Sequence, residues 1–202
     1  MQLLLYGRWT ISPGKYAALA RWLYDNVSGM QWAAVQDWMC ESVILARTGL
    51  TVTAHQRYTI ESYLRLRELQ PKLPWAPVLQ GYRPVEYMNH LRQYEDAGID
   101  LRVMPIVGVG SVCRRQSQDV DEAATIVKEL HGAGIRLHAF GFKATGLDQC
   151  WHMLVSADSM AWSKTARLES IRLPECIHRA KICNHCQKWA LKWRKSGLSK
   201  LV

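Results

Sequence analysis

The sequence of 202 residues contains no run of about eighteen consecutive apolar residues, the length that a membrane-spanning helix requires. The apolar stretch at residues 1–5 is also shorter than the core of a secretory signal peptide. We therefore expect neither a membrane span nor secretion, and we expect a cytoplasmic protein. Repeats, low-complexity tracts and linkers are absent as well. Because 49% of the residues are apolar, the chain can bury a substantial core.

Acidic residues are scarce towards the C-terminus, where residues 179–200 contain no Asp or Glu. The whole chain has 26 Lys and Arg against 17 Asp and Glu, a net charge of +9. Such a basic surface binds polyanions, including nucleic acids, although a basic tail can also serve only solubility. Trp189 and Trp193 alternate with the cations at helical spacing, which favours nucleic-acid binding. The predicted nucleic-acid contacts are Arg114, Arg115, Lys143, Lys188, Lys192, Arg194 and Lys195.

Three of the six cysteines cluster near the C-terminus and form the pattern C-x-H-x4-C-x2-C with a histidine. Thiolates and an imidazole at this density are typical of a tetrahedral structural zinc site. The predicted Zn²⁺ ligands are Cys176, His178, Cys183 and Cys186. His185 is an alternative fourth ligand, and free cysteines in a loop are the alternative to a metal. Buried thiols together with a metal site fit a reducing compartment better than a disulfide framework does.

Apolar segments of strand type alternate with amphipathic helical segments along most of the chain. Strands are predicted at residues 32–36, 76–80, 101–107, 137–142 and 155–160. Helices are predicted at residues 54–69 with Thr53 as the cap, from Pro84 to Gly98, and from Asp119 to His131. Strands that alternate with helices imply an α/β fold with a parallel sheet.

The five predicted strands are fewer than the eight of a closed (β/α) barrel, so we expect a TIM-barrel-like fold that is incomplete at the N-terminus. Its edge is either open or covered by residues 1–27, by a partner chain or by an oligomer. Pro174 ends the alternating pattern. The predicted domains are therefore a partial barrel at residues 1–173 and a segment at residues 174–202. This segment contains the zinc site and a basic helix predicted at residues 184–195.

Asp158 ends the apolar run WHMLVSAD, which places it at the carboxyl end of a predicted strand. The active sites of parallel α/β proteins lie at this edge of the sheet. A carboxylate at such a position can act as a nucleophile, although an aspartate at a strand end is more often a helix cap or a turn residue.

Four segments in this order resemble the tRNA-guanine transglycosylase superfamily, and most closely its DpdA branch of 7-deazapurine DNA modification proteins from bacteria and their phages. They read WAPVLQG (75–81), PIVGVGSVCRRQ (105–116), HAFGFK (138–143) and ADSMAWS (157–163). The resemblance covers residues 5–194. It implies that Asp158 is the nucleophile and that Asp37, Gln80 and Gly81 match residues that read the base. It also implies that the backbone of Gly108, Val109 and Gly110 contacts the heterocycle.

Members of this family normally carry an aspartate-containing DSGGF segment before the stretch that LYGRW (5–9) matches here. The present sequence lacks that segment. A misplaced start codon, a truncated protein and a second chain that supplies the missing part are the three explanations that we keep open. The family's transglycosylases also have a C-terminal zinc site of three cysteines and one histidine, though with a different spacing.

The resemblance implies that guanine in DNA is exchanged for a 7-deazaguanine of the preQ0 type. The aspartate attacks C1′ and expels guanine, and the incoming base then displaces the aspartate from the covalent glycosyl-enzyme. The target nucleotide must be flipped or single-stranded, and Tyr82 and Trp162 are candidates for stacking on it. A tRNA substrate is an alternative that the small size of the chain disfavours. A non-catalytic, zinc-stabilised subunit that binds nucleic acid is the second alternative.

Overall fold

Short parallel strands form the centre of this mixed α/β protein, seen in a computed structural model that describes residues 2–112, 120–142 and 148–198. In chain order the strands are β1 (Ala33–Ala34), β2 (Trp75–Ala76), β3 (Val78–Leu79), β4 (Val107–Val109), β5 (Leu137–Ala139) and β6 (Leu154–Ala157). β1 pairs with β2, and β3, β4, β5 and β6 pair in that order, in each case parallel. Pro77 alone separates β2 from β3, because proline has no N–H to donate to a ladder.

Helices follow most of the strands and cover the sheet. They are α1 (Gln2–Tyr6), α2 (Pro13–Asn26), α3 (Ser42–Thr48), α4 (Val52–Leu69), α5 (Pro84–Asp96), α6 (Val120–Gly132), α7 (Ala161–Leu168) and α8 (Gln187–Leu198). Two 3-10 helices span Leu101–Val103 and Trp151–Met153. The Thr51 side chain caps α4 by accepting the N–H of Ala54 at 3.2 Å. Pro84 begins α5, and Gly98 beyond its end has a φ of +75° that favours glycine.

The core lies between the sheet and helices α4, α5 and α6. Strand residues such as Leu79, Val109 and Leu137 are completely buried, as expected for a parallel sheet that is covered on both faces. Tyr87 and Tyr94 on α5 are also completely buried. Their hydroxyls donate to the carbonyl oxygens of Gly110 at 2.7 Å and Val78 at 3.1 Å. These bonds fix α5 against the ends of β3 and β4.

The sheet is curved, and Trp32 shows this curvature. The Trp32 ring centroid lies 4.7 Å from that of His138 on β5 and 6.2 Å from that of Phe140. In a flat sheet β1 and β5 would be three strand spacings apart, about 14 Å, which exceeds the reach of one tryptophan side chain. The sheet therefore bends around Trp32. It does not close into a barrel within the described residues.

The N-terminal segment lies along β1, the outer strand on this side. The Tyr16 hydroxyl on α2 donates to the carbonyl oxygen of Ala34 at 2.9 Å. The Gln36 amide donates to the carbonyl oxygen of Ile11 at 2.9 Å. These bonds place part of residues 1–27 beside this edge strand, which was one of the alternatives predicted from the sequence.

The predicted alternation of parallel strands and helices is confirmed, but several boundaries were wrong. The strand predicted at residues 101–107 begins only at Val107, because the Asp100 side chain accepts the N–H of Arg102 at 2.9 Å and caps a 3-10 helix there. Helix α4 begins two residues before the predicted start, and Thr51 rather than Thr53 is its cap. The predicted cap Asp119 lies outside the described residues.

The helix predicted at residues 184–195 begins at Gln187, because a turn in which the Cys186 N–H donates to the Cys183 carbonyl oxygen occupies the residues before it. In the described part of the chain no helix combines the length and apolar character needed to cross a membrane.

Candidate active site and metal centre

The predicted site residues lie at the carboxyl ends of the parallel strands. Gln80 follows β3, Gly110 follows β4, and Asp158 follows β6. Ser111, which was not predicted as a site residue, comes directly after Gly110. Asp37 lies three residues beyond the end of β1. Parallel strands direct all these ends to one edge of the sheet, where the ligands of such folds bind.

The half-buried Asp37 and the completely buried Gln80 are hydrogen-bonded to each other, and we call these two residues the buried pair. The Gln80 amide nitrogen donates to Asp37 Oδ2, and Gln80 is completely buried. The Ser111 hydroxyl lies 2.6 Å from Gln80 Oε1 and 3.0 Å from Glu41 Oε2, so its one hydrogen serves either oxygen. The same hydroxyl oxygen accepts the N–H of Cys40 at 2.7 Å. A network of buried polar groups therefore links the ends of β1, β3 and β4.

The position of Ser111 in this network strains its backbone. Its φ is +56°, in a left-handed region that costs a residue other than glycine on the order of 1–3 kcal/mol. Such strain is typical of functional sites, where the surrounding structure fixes the conformation. Here the strained residue directs its hydroxyl at the buried pair.

The pKa of Asp37 is raised to about 6. Burial is the main cause, and the nearby Glu41 carboxylate raises this pKa further. The hydrogen bond from Gln80 opposes the increase because it stabilises the ionised form. At neutral pH Asp37 is therefore mostly ionised and can accept hydrogen bonds, and it becomes protonated in mild acid.

The backbone of Gln80 is held on both sides by side chains from α4 and α5. His90 Nδ1 accepts the Gln80 N–H at 2.8 Å, and burial lowers the pKa of His90 to about 3, so the ring is neutral. The Gln56 amide donates to the carbonyl oxygens of Gln80 and Glu86, each at 2.8 Å. Gln93 in turn donates to Gln56 Oε1 at 2.7 Å. The direction of the Gln80 side chain is therefore set by buried neighbours.

Three glycines near the candidate site, Gly81, Gly108 and Gly110, leave space that neighbouring side chains fill. A Cβ on Gly110 would lie 2.1 Å from the Gln80 amide nitrogen, and a Cβ on Gly108 would lie 2.4 Å from Phe140 Cε2. At Gly81 a Cβ would lie 3.0 Å from side-chain atoms of both Glu86 and Tyr87. The intervening residue Val109 is completely buried. In this structure the close approach at Gly108 and Gly110 is made by the protein's own Phe140 and Gln80.

Asp158 has a different environment, since 57% of its side chain is exposed. Its pKa is lowered, first by the imidazole of His138, whose Nε2 lies 3.7 Å from Asp158 Oδ1, and also by the Gly141 N–H, which donates to Oδ1 at 2.6 Å. His138 Nδ1 lies 2.8 Å from the Ser156 hydroxyl, and the rings of Trp32 and Phe140 flank the imidazole. Asp158 is therefore an accessible, ionised carboxylate.

The structure brings Asp37 and Gln80 together but places Asp158 at another strand end. β3 and β6 are three strand spacings apart, about 14 Å along the sheet, and curvature shortens the direct path between their ends. Of the predicted stacking residues, Tyr82 and Trp162 are both partly exposed.

The four predicted metal ligands come together in the C-terminal segment. Their donor atoms all lie within 4.8 Å of one another, so the cluster could hold a metal ion. The sulfurs of Cys176 and Cys186 are 3.3 Å apart, and the Cys183 sulfur is 3.4 Å from His178 Nε2. Sulfurs around a tetrahedral Zn²⁺ are about 3.8 Å apart, so small shifts suffice to fit this ion. His185, the alternative ligand, is exposed and is not part of the cluster.

Neighbouring groups support this cluster. The N–H of Leu173 donates to the Cys183 sulfur at 3.3 Å. The backbone N–H of Trp189, in the first turn of α8, is the main cause that lowers the pKa of Cys186 to about 7, which favours the thiolate that binds metals. The Trp189 indole donates to the carbonyl oxygen of Trp162 at 2.8 Å. This bond fixes α8 against α7, the helix that follows Asp158.

Arg172 binds the loop that contains the ligands. Its guanidinium donates to the carbonyl oxygens of Cys176 at 2.8 Å, His178 at 3.0 Å and Ala180 at 2.5 Å. It also lies 2.7 Å from His178 Nδ1. A histidine that binds a metal through Nε2 carries its proton on Nδ1, and a guanidinium can only donate. Metal binding through Nε2 would therefore move Arg172 away from the ring while its bonds to the carbonyl oxygens can remain.

Comparison with known families identifies the chain. A family model described as DpdA, DeoxyPurine in DNA protein A, matches residues 1–201. The chain belongs to the DpdA family. This confirms the resemblance carried by the four segments around Gln80, Gly108, His138 and Asp158. No curated protein matches the chain. Membership of the DpdA family supports a role in the modification of DNA with 7-deazapurines.

The basic residues predicted to bind nucleic acid fall into two groups in this DpdA chain. Those on α8 are all exposed: Lys188, Lys192, Arg194 and Lys195. Lys188 also donates to the carbonyl oxygen of Glu175 at 3.2 Å. The other three, Arg114, Arg115 and Lys143, lie outside the described residues.

Sequence reasoning missed several residues of the candidate site. Gln56, His90 and Ser111 contact Gln80, Glu41 contacts the Ser111 hydroxyl, and His138 lies beside Asp158. All five are polar residues at buried positions. Polar residues on the apolar faces of α4 and α5 were the available signal for Gln56 and His90.

Proposed function

We propose that this DpdA chain replaces guanine in DNA with a 7-deazaguanine of the preQ0 type, and that Asp158 is the nucleophile. The observation that supports this most is the environment of Asp158. It is an accessible carboxylate with a lowered pKa at the carboxyl end of β6, in a family that modifies DNA. The first two properties are those that a nucleophile of base exchange requires.

Two displacements at one carbon make up the proposed reaction. In the first, Asp158 Oδ2 forms a bond to C1′ as the bond from C1′ to N9 of guanine breaks, and guanine leaves with the electron pair and takes up a proton from water. The Gly141 N–H binds Oδ1, which leaves Oδ2 for the attack. In the second, N9 of the incoming base gives its proton to water and attacks C1′, and the aspartate leaves with the electron pair of its bond to C1′. Configuration is retained, as in retaining glycosidases.

The buried pair is proposed to read the base. Guanine offers N–H donors at N1 and at its exocyclic amine, and an acceptor at O6. An ionised Asp37 can accept from the former, and the Gln80 amide can donate to the latter. Gln80 now donates to Asp37, so a bound base would exchange part of this bond for its own. The backbone groups of Gly81, Gly108, Val109 and Gly110 are proposed to complete the contacts.

The rest of the chain is proposed to support this chemistry. The curved parallel sheet with its site at the carboxyl edge favours an incomplete TIM barrel as the fold. A structural Zn²⁺ bound by Cys176, His178, Cys183 and Cys186 would stabilise the segment at residues 174–202. This ligand set is closed, with no open position for substrate. The exposed cations of α8 would bind DNA phosphates.

The proposed exchange of guanine in DNA has two alternatives. A tRNA substrate is disfavoured because the matched family acts in DNA. A non-catalytic subunit that binds nucleic acid is favoured by one observation, the complete burial of Gln80 and its bond to Asp37, because the proposed base-reading groups satisfy each other in this structure.

Nucleoside analysis of nucleic acids from cells that express the chain tests these proposals. The cells receive preQ0, and mass spectrometry measures 7-deazaguanine nucleosides in DNA and in tRNA. We expect modified DNA with the wild type and with Asp25→Asn, an exposed carboxylate paired with Arg21 on α2, but not with Asp158→Asn. Modification of tRNA alone would favour the second substrate. Modification of neither, with folded protein present, would favour the non-catalytic subunit.

A further inference from the structure

A pocket of about 370 Å³ lies beside the Asp37 end of the candidate site. The connection between α1 and α2, the segment after β1 and one face of α4 form its walls. Trp9, Trp38 and Tyr58 are among its lining residues. The Trp9 indole donates to the carbonyl oxygen of Asp37 at 3.2 Å, so the pocket borders directly on the backbone of the buried pair.

The aromatic rings of this pocket are partly exposed. The ring centroids of Trp38 and Tyr58 lie 4.9 Å apart with an interplanar angle of 50°. Rings that only fill a core are buried, whereas these three keep part of their surface at a cavity. Partly exposed aromatic rings are the groups on which proteins stack the unpaired bases of single-stranded nucleic acids.

Polar groups that suit a nucleotide accompany the rings. Arg8 lines the pocket and is exposed, and it makes no ion pair or hydrogen bond with other residues in the described part of the chain. Arg65 also lines it and is paired with Glu68 at 2.5 Å. The Ser62 hydroxyl in the wall is buried and has no hydrogen-bond partner among the described residues. The pocket also contains one carboxylate, Glu61, which Arg57 partly neutralises at 3.5 Å.

A second, larger cavity differs from this pocket in its lining residues. It has a volume of about 550 Å³ and lies between the start of α4 and α5. Its lining contains Arg83 and Arg92 but no aromatic side chain. Charge alone therefore does not distinguish the smaller pocket. It differs from the larger cavity because it combines aromatic rings with an arginine, Arg8, that has no partner among the described residues.

We propose that the smaller pocket, lined by Arg8, Trp9, Trp38, Tyr58, Ser62 and Arg65, binds an unstacked base of the DNA strand next to the target nucleotide. We call it the flanking-base pocket. This inference rests on the proposed function, because a strand whose target base is flipped or single-stranded presents unpaired neighbours to the same edge of the protein. Stacking accepts any base, so the pocket would position the strand without reading its sequence.

Binding of a labelled single-stranded oligonucleotide, measured by fluorescence anisotropy, tests the pocket. Trp38→Leu removes a stacking surface and should weaken binding by about 5- to 150-fold, the range for loss of one stacked base. Trp22→Leu is the matched control, because Trp22 is a tryptophan on α2 with 59% exposure that does not line the pocket. The control should bind like the wild type.

An oligonucleotide of abasic sugar-phosphate units separates stacking from charge. If the pocket stacks a base, Trp38→Leu should bind the abasic strand as the wild type does. Arg8→Gln should instead lower the salt dependence of binding, by about 0.7 in the slope of log affinity against log salt for a single strand. Tyr58→Leu provides a second stacking variant if circular dichroism shows that Trp38→Leu is unfolded.

Unchanged oligonucleotide affinity in a folded Trp38→Leu or Tyr58→Leu variant would overturn the proposal. So would a variant that loses affinity for free guanine or preQ0 but not for the oligonucleotide, because the pocket would then bind a free base. Failure of the proposed base exchange can be distinguished from failure of the pocket assignment. A chain that exchanges no base but still binds single-stranded DNA through Trp38 would contradict the proposed function and leave the pocket assignment intact.

Discussion

Asp37 and Asp158 both lie beyond the carboxyl ends of parallel strands, yet their surroundings drive their pKa values in opposite directions. Asp37 accepts a hydrogen bond from the buried Gln80 and lies near Glu41, and its pKa is raised to about 6. Asp158 is exposed beside His138 and Gly141, and its pKa is lowered. Two carboxylates held apart in this way serve different roles in a site. An accessible ionised group suits attack on a sugar, and a buried group suits recognition of a base.

Loss of the exposed carboxylate should have the largest effect. Asp158→Asn removes the attacking charge with almost no change in volume, so exchange should fall below about a tenth of the wild-type level and DNA affinity should remain. Single-turnover exchange of labelled guanine in DNA measures the first quantity, and anisotropy measures the second. Residual exchange above that level would remove Asp158 from the role of nucleophile, whatever the behaviour of Asp37.

Removal of the metal should have the next largest effect, on folding rather than on exchange alone. We expect one Zn²⁺ per chain by metal analysis, and a strong chelator should reduce the helical signal because the start of α8 depends on Cys183 and Cys186. Structural zinc supplies roughly 10–16 kcal/mol to zinc-finger peptides. Cys183→Ser should lose the metal, while Cys150→Ala, a buried cysteine outside the cluster, should retain it. Folded wild-type protein without zinc would contradict the metal assignment.

The parts that the sequence predicted depend on residues close together in the chain. The four metal ligands fall within eleven positions, from Cys176 to Cys186, and the place of Asp158 follows from the apolar run before it. The network around the buried pair joins residues that are far apart. Gln80 and Asp37 are separated by 43 positions, and Ser111 and Glu41 by 70. No local pattern contains such a pairing, because the curvature of the sheet decides which strand ends meet.

The pH dependence of stability should distinguish the two aspartates by sign. The pKa of Asp37 is higher in the folded state than in the unfolded state. Its contribution to the free energy of unfolding is therefore most favourable in acid, and it falls by at most about 3 kcal/mol as the pH rises from about 4 to about 6. The contribution of Asp158 has the opposite sign and is lost as the pH falls. Urea unfolding of Asp37→Asn and Asp158→Asn against the wild type should therefore give differences of opposite slope. Parallel slopes would mean that the two environments are not as distinct as the structure indicates.

Changes in the buried pair should weaken base binding more modestly. Asp37→Ala or Gln80→Ala leaves one edge of a bound purine without its partner, at a cost of roughly 1–3 kcal/mol. Calorimetric titration with preQ0 should detect the loss, and oligonucleotide affinity should stay near the wild-type value. Gln149→Ala is a suitable control, because Gln149 is an exposed glutamine that donates to Asp121 at 3.2 Å and is not part of the hydrogen-bond network around Gln80. Lost exchange with unchanged base affinity would argue against base reading by these residues.

The smallest effect should come from the basic helix α8, whose Trp189 donates to the carbonyl oxygen of Trp162 on α7, the helix that follows Asp158. Replacing Lys188, Lys192, Arg194 and Lys195 with Gln should reduce the salt slope of duplex binding by up to about 0.9 for each phosphate that is no longer neutralised. The exchanged base should not change, because phosphate contacts position a strand and do not read it. The control carries the same change in net charge at Lys15, Lys72, Arg92 and Lys128, which are exposed elsewhere. If both sets lower the slope equally, only net charge acts. If neither set lowers the slope, DNA does not bind along α8. The different environments of Asp37 and Asp158 would then have to be explained without a DNA strand that α8 holds beside Asp158.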